Sequence, residues 1–479
     1  MMAKADQSIK LSGLKILVVI ANHGNGNNLY LRQLLNEYRK MPGMVDIVVL
    51  SNIFKNLGDD IEVVVGCPTA DPWSLPFGHK QIFFERMNQY DLFIYSEDDI
   101  LVTQKNIEAF LQVSPFLDAN QLAGFLRFEK RPDGTRFYPD AHLNFHWDAR
   151  YLEKKAECIF AYFTNEHAAT YILTRQQLQS AVNSGGFMVP PHVGKYHLPE
   201  SAATDPYTQC GFKKMICISR LHDFIVHHLP NKYVGKMGTE EPEFERQIGA
   251  LIDIATKAII PSQLLDTHKS LEVCELGKNY YEPAREDLVQ AIPPESQAVL
   301  SIGCGWGATE QRLAQTGRKV VAVPADSVIS ACVEARGIEV ANGDLNTIVA
   351  RLMGRKFDCL LFLNSLHVMT DPAHALTTLL PLLTEDATVV ISVPNLNNLS
   401  VKWRKLRRLK TYQSLGDYQE SGLHFTSHRT VREWLSKSGF RTCHVIDVLP
   451  ENRKAISRKT RRLFDSALSS EIIAIAGRA

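Results

Sequence analysis

A chain of 479 residues is long enough for two or three domains of ordinary size. Its 45% hydrophobic and 22% charged residues suit a globular protein with large cores, and Lys+Arg 53 against Asp+Glu 52 leaves +1, which excludes a global field drawing it to nucleic acid. Nine scattered cysteines without a C-x-x-C exclude a disulfide framework and a zinc ribbon, and the apolar run Ile16–Ala21 is too short to span a bilayer or form a signal core, so a cytoplasmic protein is expected.

In chain order, Lys15–Ala21 reads as a buried strand, followed by the loop His23-Gly-Asn-Gly-Asn-Asn28 and a helix over Leu29–Tyr38. Strands follow at Val45–Leu50 and Ile61–Val65, a helix at Lys80–Asn88, and an apolar strand that runs into Tyr95-Ser-Glu-Asp-Asp-Ile100. From about 115 to 235 the chain is rich in aromatics, Pro, His and Gly, and long irregular connections of this kind build binding sites. Residues 241–272 read as a linker with a bridging helix over Phe244–Ile259, dividing a domain over 1–240 from one over 273–479.

The second stretch opens with a helix around Glu282–Ala291 and a Pro293-Pro294 stop. Strand Ala298–Ile302 enters Gly303-Cys-Gly-Trp-Gly307, and a helix follows at Thr309–Gln315. Strands at Lys319–Val323, Glu339–Ala341, Phe357–Leu363 and Thr388–Val393 alternate with helices at Val328–Arg336, Ala373–Leu383 and Val431–Ser438. That alternation predicts a parallel sheet covered on both faces. The expected class is α/β, as two unlike domains.

Glycines between a strand and a helix let the backbone turn tightly and approach a ligand. Together with Gly343-Asp344-Leu345, Phe357-Asp358, Leu366-His367, Asp371-Pro372 and His424-Phe-Thr426, the loop makes residues 277–479 resemble the class I S-adenosylmethionine-dependent methyltransferases, a Rossmann-like fold. The resemblance implies that Gly303, Gly305 and Gly307 line the methionine and ribose part of the cofactor, and that Asp344 lies beside the adenine. It implies further that Leu363-Asn364-Ser365 faces the transferred methyl. Two positions depart from the family: Ser301 and Pro324 stand where it has acids, the second of which holds the ribose hydroxyls. Asp326 is the nearest carboxylate to substitute.

Three consecutive carboxylates at a strand end repel unless a cation or water relieves them. The motif around Glu97, Asp98 and Asp99 resembles the D-x-D site of GT-A glycosyltransferases, over about 15–238, which implies a nucleotide-sugar-binding domain. Glu97 and Asp99 would hold a divalent cation, Mn²⁺ or Mg²⁺, which His228 would complete. Asp205 falls where an inverting enzyme has its catalytic base, and Trp73, Trp147, Tyr138 and Tyr151 are candidates to stack on sugar or uracil. The same acids also suit the N-terminus of the helix that follows.

Two basic runs, Lys402–Lys410 with six cations in nine residues and Arg453–Arg462 with six in ten, suit anionic lipid head groups at the inner membrane face or a solvated helix face. The expected function is a bifunctional glycosyltransferase and methyltransferase of saccharide or glycoconjugate synthesis. Its partners would be a nucleotide-sugar donor and a saccharide or lipid-linked saccharide acceptor, with no nucleic acid. Two alternatives stand beside it. The second domain could be a catalytically inactive docking module, as Ser301 and Pro324 would allow. The first could be a non-catalytic carbohydrate-binding domain.

Overall fold

A computed structural model describes residues 11–265, 276–407, 410–459 and 463–479. The chain forms two compact units, the first running to Ala141 and resuming over His146–Ala258, the second comprising His142–Phe145 and Ile259–Ala479.

In the first unit β1 (Lys15–Asn22), β2 (Met44–Ser51), β3 (Ile61–Val65) and β4 (Leu92–Glu97) are mutually parallel. The strand Thr170–Thr174 closes their sheet antiparallel to β4. Every residue of β1 after Lys15 is buried, which is why the run Ile16–Ala21 reads as continuously apolar rather than alternating. The helix Asn28–Arg39 covers the sheet with Leu31, Leu34, Leu35 and Tyr38, spaced to share one face. In this sheet β1 has β2 on one side and β4 on the other. The chain order therefore reverses between β1 and β4, and their carboxyl ends flank the crevice where open α/β sheets bind ligands.

Residues 115–235, expected as irregular, carry eight strands and the helices Arg175–Asn183 and Leu198–Thr208. The helix Glu241–Lys257, expected as a bridge, packs in this unit, with Phe244 stacked on Tyr138 at 4.0 Å between ring centres. Tyr138 and Trp147 are core residues, so they are closed to a sugar; Trp73 is exposed.

For the second unit the strands are labelled onward in chain order: β5 (Ala298–Cys304), β6 (Lys319–Pro324), β7 (Glu339–Val340), β8 (Phe357–Leu363), β9 (Leu383–Pro394), β10 (Phe440–Val448) and β11 (Glu471–Arg478). Their order across the sheet is β7-β6-β5-β8-β9-β11-β10. All run parallel except β11, which lies antiparallel between β9 and β10. The order reverses between β5 and β8, so the loop Gly303–Gly307 opens at that crevice. The core beneath it includes Leu313 of the helix after the loop and Val299, Ala322, Cys359, Leu361, Val390 and Ile473, which the register places on one face of the sheet.

Candidate functional site

Two of the three loop glycines adopt backbone angles that side chains resist: φ is +72° at Gly303 and +86° at Gly307. A Cβ at Gly303 would stand 2.3 Å from Cβ of Ser365, and one at Gly305 would stand 2.2 Å from the carbonyl oxygen of Tyr280. The N–H of Trp306 donates to that same carbonyl at 2.9 Å. Sequence reasoning reserved the space at Gly305 for the cofactor, whereas the chain's own backbone fills it.

Ser301 lies where the family has an acid, yet a carboxyl is present. Ser301 Oγ donates to Oε1 of Glu310 at 2.6 Å, and both residues are buried. Burial pushes the Glu310 carboxyl up from its ordinary range. Glu310 sits in the first turn of the helix Ala308–Gln315, nine residues past Ser301, so no sequence-adjacent motif announced it.

Pro324 ends β6, and beyond it Asp326 is buried, its Oδ1 accepting from the N–H groups of Val328 and Ile329 at 2.8 and 2.9 Å. The chain itself pairs here: Leu264 N–H donates to Ala325 O and Ser327 N–H to Ser262 O, each at 3.0 Å. Leu264 Cδ2 lies 3.8 Å from a Cβ built on Gly303. Asp344 is exposed and caps the helix Leu345–Arg351, accepting from Thr347 N–H at 2.7 Å. That backbone bond holds its carboxyl below the usual carboxylate range.

At the end of β8, Lys278 is buried, pairs with Glu282 and donates to Leu363 O at 2.7 Å. Asn364 takes the left-handed conformation at φ 47° and donates to Glu471 at 3.2 Å, while its Oδ1 is buried with no hydrogen-bond partner among the described residues. His367 Nε2 lies 2.8 Å from Leu276 O, which can only accept, so that nitrogen carries the proton. The lone pair is then on Nδ1, which is also buried with no hydrogen-bond partner among the described residues. Burial pushes the His367 ring down to about 4, keeping it neutral. The composition of this corner fits an S-adenosylmethionine cradle. A glycine loop meets a strand end that offers two unengaged acceptor atoms, and an exposed Asp344 follows the third strand.

In the first unit, Glu97, Asp98 and Asp99 leave β4 at the crevice beside β1. Asp98 is fastened by the side-chain amides of Asn22 and Asn27, at 2.5 and 2.7 Å, and burial pushes it up to about 6. Lys55 pins the same loop by donating to Gly24 O and Asn28 Oδ1 at 2.6 and 2.7 Å. Burial, with the charge of Asp99 added, raises Glu97 well above the carboxylate range.

The metal expectation meets a different arrangement. His228 Nδ1 is 2.6 Å from Glu129 and its Nε2 3.4 Å from Asp99, so carboxylates engage both ring nitrogens. Burial works against the charged ring, but Asp99 and Glu129 outweigh it and the His228 pKa stands above its ordinary value. Among the described residues no group of three or more His, Cys, Asp or Glu is placed to hold a metal ion. The residues do not fit the Mn²⁺ or Mg²⁺ site expected of Glu97, Asp99 and His228, and no step is drawn through a cation.

Asp205 is likewise committed. Its side chain is wholly buried, Lys80 donates to Oδ2, and His192 Nε2 lies 3.0 Å from Oδ1. A catalytic base must reach a substrate hydroxyl, and this carboxylate is closed inside an ion pair. On the same helix, one turn nearer its start, Glu200 has a buried Oε2 with no hydrogen-bond partner among the described residues, and its charge is felt at Glu97. The sequence signal was present, an acid in the first turn of Leu198–Thr208, but Asp205 drew attention from it.

The family described as a methyltransferase domain matches residues 277–445. Among solved structures, a SAM-dependent methyltransferase from Archaeoglobus fulgidus is 17% identical, covering 40% of this chain and 92% of its own at a TM-score of 0.33. Another from Mesorhizobium loti is 18% identical, covering 40% and 96% at a TM-score of 0.30. No curated protein matches the chain. The C-terminal region therefore carries a class I S-adenosylmethionine-dependent methyltransferase domain, on the family match and the strand order together. Among the described residues no helix is long and apolar enough to cross a membrane.

Proposed function

We propose that this chain is a bifunctional transferase, methylating through its second unit and transferring a sugar through its first. The observation that carries the methyl-transfer reading is the strand order β7-β6-β5-β8-β9-β11-β10 with a glycine loop at its reversal point. S-adenosylmethionine, when bound, supplies an electrophilic methyl on a sulfonium. Gly303–Gly307 and Asp344 would hold it. Lys278, fixed to Leu363 O and Glu282, stiffens the strand end beside it. Asn364 Oδ1, at the end of β8, would accept from an incoming hydroxyl and orient its oxygen, with the neutral His367 ring buried behind it.

Support for sugar transfer is the set of acids at the reversal point of the first sheet. Burial raises the Glu97 carboxyl well above the usual carboxylate range, which lessens its repulsion of a nucleotide diphosphate oxygen beside it. Glu200 would take the acceptor proton in place of Asp205. The acceptor would be a saccharide or a lipid-linked saccharide.

One observation favours the alternative of a methyltransferase fold without catalysis. Segment 262–264 pairs with 325–327 at the end of β6, where the family binds ribose, and Pro324 brings no carboxylate. Calorimetry decides: micromolar binding of S-adenosylmethionine supports the active reading, and no heat at millimolar cofactor establishes the alternative. A panel of nucleotide-sugars tests the first unit in the same way, and protection by none of them removes the sugar-transfer reading.

A further inference from the structure

The helix Leu399–Leu406 covers little of the core. Only Val401 is buried in it, while Leu399, Trp403 and Leu406 are 51%, 52% and 80% exposed. At 3.6 residues per turn these three fall within about 60° of one another, opposite Val401. The same projection puts Lys402 on one flank of the apolar stripe and Arg407, one residue past the helix, on the other. The Arg407 guanidinium stacks on Trp403 at 3.5 Å from the ring centre. From Leu399 to Gly416 the sequence holds no acid at all.

A second exposed segment lies beside it. Leu463 and Phe464 are 79% and 55% exposed, just before the short helix Asp465–Leu468, which contacts Leu399–Leu406. They follow the helix Glu451–Lys459, which carries Arg453, Lys454, Arg458 and Lys459 against the single acid Glu451. Arg453 donates to Ser400 Oγ and to Leu468 O, tying the two segments together. The basic-run residues 408–409 and 460–462 lie outside the described residues.

Strand direction says which way this patch faces. The first segment leaves β9 after Pro394, and the second leaves β10 after Val448; both positions register with Glu471 of β11. Because β9 runs parallel to β8 and β5, that end of the sheet is also the end where Gly303–Gly307 and Asn364 open.

We infer that this face docks on the surface of an anionic phospholipid bilayer. Leucines and aromatics on one stripe with arginines and lysines beside them is the pattern that inserts shallowly among head groups. The cations add attraction to acidic lipid and snorkel outward. Charge complementarity selects that occupant, because a neutral protein groove would leave the cations unmatched and a polyanion such as RNA would leave the apolar stripe wet. The docking surface stands independently of catalysis. Its consequence, a methyl acceptor presented at the membrane surface, rests on the methyl-transfer reading.

The test is co-sedimentation of the full chain with phosphatidylcholine vesicles and with vesicles containing phosphatidylglycerol, at low and physiological salt. Binding to the anionic vesicles only, with a blue-shifted tryptophan emission that disappears in Trp403→Phe, is expected. Trp403→Ala with Leu406→Ala should weaken partitioning at least ~10-fold, and Lys402→Glu with Arg407→Glu should do the same. All four side chains are exposed, and an unchanged melting temperature verifies that the variants fold. Equal binding to both vesicle types, no binding, or a preference for an RNA oligonucleotide that leaves tryptophan emission unmoved would each overturn the inference. Cofactor calorimetry on the same preparations reports separately on the methyl-transfer reading.

Discussion

Substituting Gly305 separates two explanations of the glycine loop. Gly305 lies outside the left-handed region, so Gly305→Ala carries no conformational penalty, and on its own would gain about 0.4–1 kcal/mol by stiffening the unfolded chain. Against that, the new methyl would stand 2.2 Å from the Tyr280 carbonyl oxygen and 2.7 Å from its carbon. Both are backbone atoms, and the carbonyl is held by Trp306 N–H at 2.9 Å, so neither can turn aside as a side-chain tip would. Overpacking costs about 1–3 kcal/mol and the weakened hydrogen bond about 0.5–1.5, which leaves a net destabilisation of roughly 0.5–4 kcal/mol. Gly317→Ala is the control: φ is +90° there but nothing lies within 4 Å, so only the conformational cost of about 1–2 kcal/mol applies. Urea unfolding of the full chain, monitored by hydrogen exchange in β5 and β8, measures both. The reasoning is refuted if Gly305→Ala is as stable as the parent while losing cofactor affinity, since the glycine would then serve the ligand and not Tyr280.

Three further outcomes are expected. His367 is held near pKa 4 against an ordinary 6.5, so its contribution is complete above pH 6.5 and is lost as pH falls toward 4. Between pH 8 and pH 5 the loss is about 2 kcal/mol at 1.36 kcal/mol per pH unit, readable as faster exchange in β8 and absent in His367→Phe. Asp205→Asn leaves Lys80 buried without its carboxylate and should cost about 3–5 kcal/mol of stability by denaturant titration; a stable variant whose sugar transfer falls ~10²-fold would restore Asp205 as the base. Glu200→Gln should lower turnover with a nucleotide-sugar by at least ~10²-fold with an unchanged unfolding midpoint, and turnover at the parent rate would remove Glu200 from the mechanism.

How far the sequence spoke can be judged residue by residue. Strands β1, β5, β6 and β8 were legible because both their faces are buried. Past its charged or polar ends, each reads as a mostly apolar run rather than an alternating one, broken only by Ser301 in β5 and Asp358 in β8. The loop after β5 was legible because glycines there answer to backbone angles. The 115–235 region was not: its strand Trp147–Lys155 is mostly half-exposed and carries five charged residues in nine, leaving no alternation to read. The apolar run Ile472–Ala476 in β11 did carry a signal that the reading passed over. The helix Leu399–Leu406 was seen only as charge, because cations interleave its apolar stripe. Site chemistry was harder than fold, since Glu310 reaches Ser301 across a helical turn and Lys80 reaches Asp205 across 125 residues. No local spacing encodes either meeting.

The antiparallel position of β11 bears on how the second unit is made. As the ribosome emits the chain, β10 emerges before β11, yet among the described residues its one sheet neighbour is β11. Residues 440–448 must wait for Glu471–Arg478 to slide between them and β9. The first unit is free to close during synthesis, while the second keeps an open β9 edge until its last strand arrives. A chain cut after Ser470 would keep that edge permanently, an exposed row of backbone donors and acceptors inviting pairing with other chains. Such a product should surface in cells as inclusion bodies and chaperone clients rather than as a weakened enzyme.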